Sequence, residues 1–506
     1  MPAYTRSRRP WALIGNFIFM AVLPLRAVMA AVKNGASHLL RTTALAPRAL
    51  YTGTLLALRM DSSSPPPVEV GYVTDVEGNL DYFNRWVRQS RVLSYDANGE
   101  LRLTHDRAYF VYGGDATDRG DGSLRLVRAL VRLKQSAPSR VFLLVGNRDL
   151  NKLRFTSELS EDDLARPPAE IAPPHWDPHA PTLSQYLCDI ADSKHREKDA
   201  ATAKNAKDSV RGTHHAVDAG TATNSNDNPN DNANDKVHTD PTDKGAQSAA
   251  AAAASVDCAA ERLRYMYKHT LGCPNTFELW RSELALISGR DRDAVTDAEV
   301  VSATLRSVQP GGDLHNYLMH ADVAVRLGHT LFVHGAVDAK TMQFVPDDET
   351  AFCLPEEPQP GHFVPDVDDW TSALNSLLRR GLAAHAANPT WNAARTRRGG
   401  EVLLALQNRD AVSGRSIVSN CYCDGGVIDT AAAAATRAAA EKLPLANPKS
   451  FRNYCSNARD QKVAAWLKGA GVRRVVVGHK PSGDCAAVLS HKYTGVEVVS
   501  ADTSYS

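Results

Sequence analysis

The stretch Gly114-Asp115-Ala-Thr-Asp118-Arg119-Gly120 begins one glycine after the apolar run Tyr109-Phe-Val-Tyr112. Short runs of β-branched and aromatic residues that end in glycine or a polar residue are typical of buried β-strands. The same pattern occurs at 68–73, 141–145, 331–333, 475–477 and 496–499. Each of the first four of these runs is followed within two residues by an Asp, Asn or His.

Helical patterns lie between these strand patterns. Leu124, Val127, Leu130 and Val131 form an apolar stripe with an Arg-rich outer face, which predicts an amphipathic helix. Buried strands that alternate with helices predict an α/β fold. Ligands in such folds bind at the carboxyl ends of the strands, so we expect the polar residues at these ends to form one site.

The side chains at the strand ends are of types that bind divalent metal ions. They are Asp75, Glu77, Asp115, Asn147, His334 and His479. Carboxylate and amide oxygens combined with imidazole nitrogens form a donor mixture suited to Mn, Fe or Zn, and it differs from a thiolate site. Two such ions, about 3.5–4 Å apart and bridged by Asp115, would activate a water molecule and hold the oxygens of a phosphoryl group.

At these residues the chain closely resembles the calcineurin-like metallophosphoesterases, and particularly the phosphoprotein phosphatase branch. The blocks of that branch read Asp-x-His-Gly-Asn, Gly-Asp-x-x-Asp-Arg-Gly, Gly-Asn-His-Glu/Asp, His-Gly and Gly-His. They occur here in the same order, from about residue 68 to the C-terminus. The resemblance implies a β-sandwich flanked by helices and the hydrolysis of phosphomonoesters, such as phosphorylated Ser or Thr, without a covalent enzyme intermediate.

The resemblance also implies roles for individual residues. The first metal ion would be held by Asp75, Glu77 and Asp115, and the second by Asp115, Asn147, His334 and His479. Arg119 would bind the substrate phosphate, and Asp118 would support the catalytic His that the family carries in its Gly-Asn-His block.

Two residues differ from the family pattern. Glu77 replaces a His ligand, which favours a harder ion, Mn²⁺ or Fe, over Zn²⁺. Arg148 replaces the catalytic His, and an arginine cannot donate a proton near neutral pH. Arg148 would either pair with Asp118 or bind the phosphate together with Arg119. The alternatives to a phosphomonoesterase are a nucleotide phosphodiesterase or hydrolase, and a non-catalytic protein that binds phosphorylated partners.

The N-terminal segment 1–60 differs from the rest in charge. It holds eight basic residues and no acidic one, leaving 50 basic against 57 acidic residues in the remainder. The remainder therefore lacks the basic surplus of a nucleic-acid-binding protein. The apolar run 11–25 is shorter than the roughly 20 residues of a membrane span. It predicts a targeting segment for the mitochondrion or secretory pathway, or a marginal membrane anchor, rather than a free cytosolic protein.

We expect one metallophosphoesterase domain over 61–506, interrupted at 191–257. This interruption contains no Leu, Ile, Met, Phe, Tyr or Trp, so it cannot bury enough apolar surface to offset the entropy of ordering, and it is predicted to be a disordered insertion. The Ala-rich stretch 430–442 is predicted to be a surface helix.

Overall fold

The structure is a computed structural model. It describes residues 20–21, 68–173, 180–211, 251–339, 341–351, 360–406, 417, 421–422, 455–456 and 460–503.

The strands begin and end close to the runs identified in the sequence. They are β1 (Met20–Ala21), β2 (Glu69–Val73), β3 (Leu93–Tyr95), β4 (Leu101–Leu103), β5 (Ala108–Tyr112), β6 (Val141–Leu144), β7 (Ala321–Asp322), β8 (Ala324–Leu327), β9 (Thr330–Val333), β10 (Phe344–Pro346), β11 (Gly361–Phe363), β12 (Cys421–Tyr422), β13 (Cys455–Ser456), β14 (Arg474–Val477), β15 (Ala487–Ser490) and β16 (Glu497–Ser500).

Helices connect many of these strands. The α-helices cover Leu80–Gln89, Ser123–Ser136, Asn147–Asn151, Phe155–Glu158, Glu161–Leu164, Leu183–Arg211, Ala259–Tyr265, Thr276–Ser288, Asp297–Val308, Asp313–His320, Val367–Ala387, Glu401–Ala405 and Gln461–Gly469.

Ten of the strands form two five-stranded sheets. The first sheet has the order β1-β2-β5-β6-β7, in which β2, β5, β6 and β7 run parallel and β1 is antiparallel to β2. The second has the order β15-β16-β14-β9-β8, with β16, β14 and β9 parallel and an antiparallel strand at each edge. Because parallel strands end at the same edge of a sheet, the residues that follow β2, β5 and β6 are brought together.

The two sheets pack face to face. Val111, Leu144, Phe332 and Val476 share one buried cluster, and the ring centroid of Tyr72 lies 5.8 Å from that of Phe332. Neighbours of these residues along the strands point to the opposite face and join the larger core formed with the helices. Strands buried on both faces read as continuous apolar runs. The predicted α/β fold, a sandwich of two sheets flanked by helices, is therefore confirmed.

The chain divides into two compact units. The sheet unit comprises Met1–Leu153 and Arg306–Ser506, and the helical unit comprises Arg154–Leu305. The sheet unit contains both large sheets and every strand-end block named above. Among its described residues, the helical unit has its own apolar cluster around Leu187 and Tyr265.

Two parts of the segment 191–257, which is predicted to be disordered, are helical. The helix Leu183–Arg211 extends through the first part of 191–257, and residues 251–256 are also helical. The segment is rich in Ala and Lys, which are strong helix formers, so it forms a helix although it offers few apolar side chains for packing. Residues 212–250 lie outside the described residues, as does the predicted helix at 430–442.

The N-terminal segment is described only at Met20–Ala21. These two residues pair with Val70 and Gly71 as the edge strand of the first sheet, and the rest of the apolar run 11–25 lies outside the described residues. In the part of the chain that the structure describes, no helix is both long and apolar enough to cross a bilayer.

Packing between the sheets yields the first prediction. Phe332→Ala removes a ring that is 4% exposed and stacked on Tyr72, and it should lower the free energy of unfolding by about 3–5 kcal/mol, as expected for a buried Phe. The measurement is urea unfolding followed by tryptophan fluorescence. Phe363→Ala, at a ring 63% exposed in the same unit, is the matched control. Equal losses in the two variants would contradict the packing of the sheets.

Candidate functional site

The loops after β2 and β5 are tied together by their backbones. The N–H of Asp75 donates to the carbonyl of Gly114 (3.0 Å), and the N–H of Glu77 donates to the carbonyl of Asp115 (3.1 Å). Asp75, Glu77, Asp115 and His479 have φ values of 51°, 50°, 53° and 72°. This left-handed conformation is costly for most non-glycine residues, and residues that adopt it cluster at functional sites.

Two glycines allow the loops to approach each other closely. A Cβ atom on Gly146 would lie 2.0 Å from Oδ1 of Asp115, and one on Gly478 would lie 2.4 Å from Oδ2 of Asp75. Only glycine fits at these positions. The glycines beside the predicted ligands therefore serve to bring carboxylates against backbone.

Four of the predicted ligands converge on one point. Oδ1 of Asn147 lies 2.8 Å from Nδ1 of His479 and 3.3 Å from Nε2 of His334. Nε2 of His334 is also 3.5 Å from Oδ1 of Asp115. The other ring nitrogen of His334, Nδ1, lies 2.8 Å from the carbonyl oxygen of Gly113, a contact that orients the ring as in metal sites. Two imidazoles, a carboxylate and an amide oxygen form a donor set that fits a divalent ion.

The three predicted carboxylate ligands also lie together. Asp75, Glu77 and Asp115 each offer an oxygen, and these oxygens lie within 4.8 Å of one another. Both oxygens of Glu77, however, contact arginines: Oε1 is 2.7 Å from Nε of Arg148, and Oε2 is 3.0 Å from Nε of Arg119. This half of the site therefore already contains cationic groups.

Arg148 is held among several carboxylates. Besides Glu77, its guanidinium contacts Oδ2 of Asp115 at 3.5 Å and Oδ2 of Asp118 at 3.6 Å. The pairing of Arg148 with Asp118, one of the two alternatives predicted from the sequence, is thus present. The other alternative is that Arg119 and Arg148 bind a phosphate together. Here both arginines contact the carboxylate of Glu77.

Burial of these charges shifts their pKa values. Burial raises the pKa of Glu77 to about 8, against the opposing effect of Arg148 and Arg119, and raises that of Asp75 to about 6. Burial alone would lower the pKa of His334, but Asp115 and Asp75 raise it to about 10. Burial also acts to raise the pKa of Asp115, but His334 and Arg148 hold it below its usual value. Burial is thus the largest single influence on each of these four groups.

Three further residues complete the site, none of which was predicted from the sequence. Nζ of Lys152 lies 2.7 Å from Oδ1 of Asp118, and both side chains are fully buried. Asp149 accepts hydrogen bonds from the backbone N–H groups of Asp115, Ala116 and Gly146. Asp502 has a pKa raised to about 10, first by burial and then by Asp75. Its position just after β16 is a signal that could have identified it.

A cleft of about 270 Å³ lies at the strand ends of the sheet unit. Its lining comprises Asp75, Glu77, Asp115, Arg119, Asn147, Arg148, His479, Pro481, Asp502 and Thr503. His334 and Asp118 are buried beside it. All nine predicted site residues are therefore in or next to one cleft.

Comparisons with known proteins place the chain in no family. No family model matches it, and no curated protein matches it. Among solved structures, a cold-active protein tyrosine phosphatase of a psychrophilic Shewanella species is 13% identical, with a TM-score of 0.31, over 86% of this chain and 71% of that one. A point mutant of a cold-active protein tyrosine phosphatase gives the same values. The identities and TM-scores are too low for these likenesses to bear on the activity of this chain.

The buried pair of Lys152 and Asp118 yields the second prediction. Lys152→Met leaves the Asp118 carboxylate buried without its nearest cation, and it should lower the free energy of unfolding by about 3 kcal/mol or more. Urea unfolding in EDTA measures the loss. Lys462→Met, at an exposed lysine of the same unit, should change the value by less than about 0.5 kcal/mol. The double variant Lys152→Met/Asp118→Asn should recover part of the loss, and strict additivity would show that the two side chains do not interact.

Proposed function

We propose that this protein hydrolyses phosphomonoesters with the help of a divalent metal ion held by Asp115, Asn147, His334 and His479. The observation that carries the proposal is the convergence of these four side chains at the strand ends, in a cleft that also contains Arg119 and Arg148. Metal ligands beside guanidinium groups are a combination suited to a phosphoryl group.

The metal ion has a defined role in this proposal. Bound to these residues, a divalent ion supplies a coordinated water of lowered pKa and polarises a phosphoryl oxygen. Oxygen donors from Asp115 and Asn147 together with imidazoles suit Mn²⁺, Fe or Zn²⁺, and we favour Mn²⁺ because of the carboxylates that surround the site. The resemblance to metallophosphoesterases implies a second ion at Asp75, Glu77 and Asp115, where Glu77 contacts both arginines.

The arginines would bind and orient the phosphate. The side chain of Arg119 is 48% exposed and lines the cleft, so it can reach an entering ligand. Arg148 is 12% exposed and held by Glu77 and Asp115, which pre-orients its planar guanidinium. Because Arg148 cannot give up a proton, the leaving group would take its proton from solvent. Esters with good leaving groups should react best.

One observation favours a second candidate function. Arg148 occupies the place of the family's catalytic His, and it is bound by carboxylates in the cleft. A site that binds a phosphorylated partner without hydrolysing it would need the arginines but no general acid. Tight binding of phosphate or a phosphopeptide without turnover would identify this function.

Hydrolysis of a chromogenic aryl phosphate by the full chain tests the first candidate. We expect turnover that requires added Mn²⁺ and is abolished by EDTA. Asp115→Asn should lower the rate by about 100-fold or more, since even partners outside the first ligand shell typically contribute 10–100-fold. Asp293→Asn, which makes the same change at a side chain 91% exposed, should not alter the rate. Turnover that survives both EDTA and Asp115→Asn would refute the metal-dependent mechanism.

Arg119 can be tested separately. Arg119→Met removes one charged contact to the phosphate, worth about 1.5–3 kcal/mol, and should raise KM by about 10–100-fold. Steady-state kinetics with the same aryl phosphate measures the change. Arg132→Met is the matched control, because Arg132 is similarly exposed and also pairs with a glutamate, Glu100. An unchanged KM in Arg119→Met would remove Arg119 from phosphate binding.

A further inference from the structure

The carboxylate of Glu77 lies between two guanidinium groups. Its side chain is 5% exposed, and its two oxygens lie 2.7 Å from Nε of Arg148 and 3.0 Å from Nε of Arg119. Charge-assisted pairs at these distances are among the stronger polar contacts in proteins. A metal ion bound by Glu77 would have to share these oxygens with cations, and ions of like charge repel each other.

The guanidinium of Arg148 is held in place from several directions. It contacts Glu77, Asp115 and Asp118, and its side chain is 12% exposed. The backbone of Arg148 is also tied down, because its N–H donates to Oδ1 of Asp115 at 2.9 Å and its carbonyl accepts from Nζ of Lys152 at 3.0 Å. Lys152 in turn pairs with Asp118 at 2.7 Å. Moving Arg148 out of the site would therefore disrupt a buried network.

Asp115 divides the site into two halves. Its Oδ1 lies 3.5 Å from Nε2 of His334, on the side of the imidazoles and Asn147. Its Oδ2 lies 3.5 Å from Nε of Arg148, on the side of Glu77. One oxygen of this carboxylate thus belongs to a donor set that fits a metal ion, and the other faces a permanent organic cation.

From this arrangement we infer that the site takes one divalent metal ion, at Asp115, Asn147, His334 and His479, and that the guanidinium of Arg148 takes the place of the second. This inference rests on the proposed function for the position of the bound ion. It departs from the pair of ions that the family resemblance implies. Arginine serves in this role because its charge is permanent and its planar fork matches both carboxylate and phosphate oxygens.

The number of bound ions tests the inference directly. The full chain is stripped with a chelator, incubated with excess Mn²⁺, desalted and analysed for metal by mass spectrometry. We expect one Mn²⁺ per chain. Two ions per chain would overturn the inference and leave the proposed metal-dependent function standing, whereas no bound ion would overturn both.

Paramagnetic resonance gives a second readout of the same sample. One Mn²⁺ per chain should show the spectrum of an isolated ion. Two ions about 3.5–4 Å apart would show the spectrum of an exchange-coupled pair, and that result would overturn the inference.

Substitutions of Arg148 test whether its charge excludes the second ion. Arg148→Met leaves Glu77, Asp75 and Asp115 without the guanidinium, and the count should rise from one Mn²⁺ to two. Arg148→Lys keeps a positive charge on a side chain of similar length, and the count should remain at one. A count that stays at one in Arg148→Met would show that the guanidinium does not hold the place of an ion.

Arg119→Met is the matched control for these variants. It removes the other guanidinium that contacts Glu77 but leaves Arg148 in position, so the count should remain at one. A second ion in both this variant and Arg148→Met would show that the combined positive charge of the two arginines excludes that ion. This result would overturn the specific role of Arg148. Circular dichroism of each variant verifies that it is folded before the metal is counted.

Discussion

The buried carboxylate of Asp115 connects the parts of the site that come from separate strands. It contacts Arg148 after β6 and His334 after β9, while its backbone carbonyl accepts from Glu77 after β2. A carboxylate buried to this extent is stable only where positive charge and hydrogen-bond donors surround it. Its neighbours are therefore constrained in type and in position, and the unusual backbone of the surrounding loops persists because these contacts hold it.

The predicted ligands come from two segments of the sheet unit that are distant in the chain. Asn147 precedes the helical unit Arg154–Leu305, and His334 follows it, yet their side-chain atoms lie 3.3 Å apart. Parallel pairing of β6 with β7 joins the two segments of the sheet unit. Because both segments supply ligands, the donor set depends on their association within the sheet unit.

The two residues at which the sequence differs from the phosphoprotein phosphatase pattern that it resembles contact each other. Glu77 and Arg148 each stand where that pattern has a His, and they pair at 2.7 Å. Without this contact Glu77 would keep only Arg119 as a cationic partner, and Arg148 would keep only the more distant carboxylates of Asp115 and Asp118. Of the two side chains, Arg148 keeps its charge at all physiological pH values, which an imidazole does not. Chemistry at this end of the cleft then depends on charge and orientation rather than on proton transfer.

Much of this organisation could be predicted from the sequence, because it is encoded locally. Apolar runs that end in glycine and a metal-binding side chain determined the central strands, the α/β class, and the residues that meet at the strand ends. The pairing of Glu77 with Arg148 and of Lys152 with Asp118 could not be read in this way, since the partner lies far away in the chain and the contact depends on the direction in which a long side chain extends. Apolar content does not predict the helix over 191–211, because helix propensity does not require a buried face. The sequence by itself determined which groups stand at the strand ends, and only the tertiary structure decided that a guanidinium is placed between the carboxylates. The physical reason is that ion pairing in a buried cleft is settled by three-dimensional proximity and desolvation, which no local pattern records.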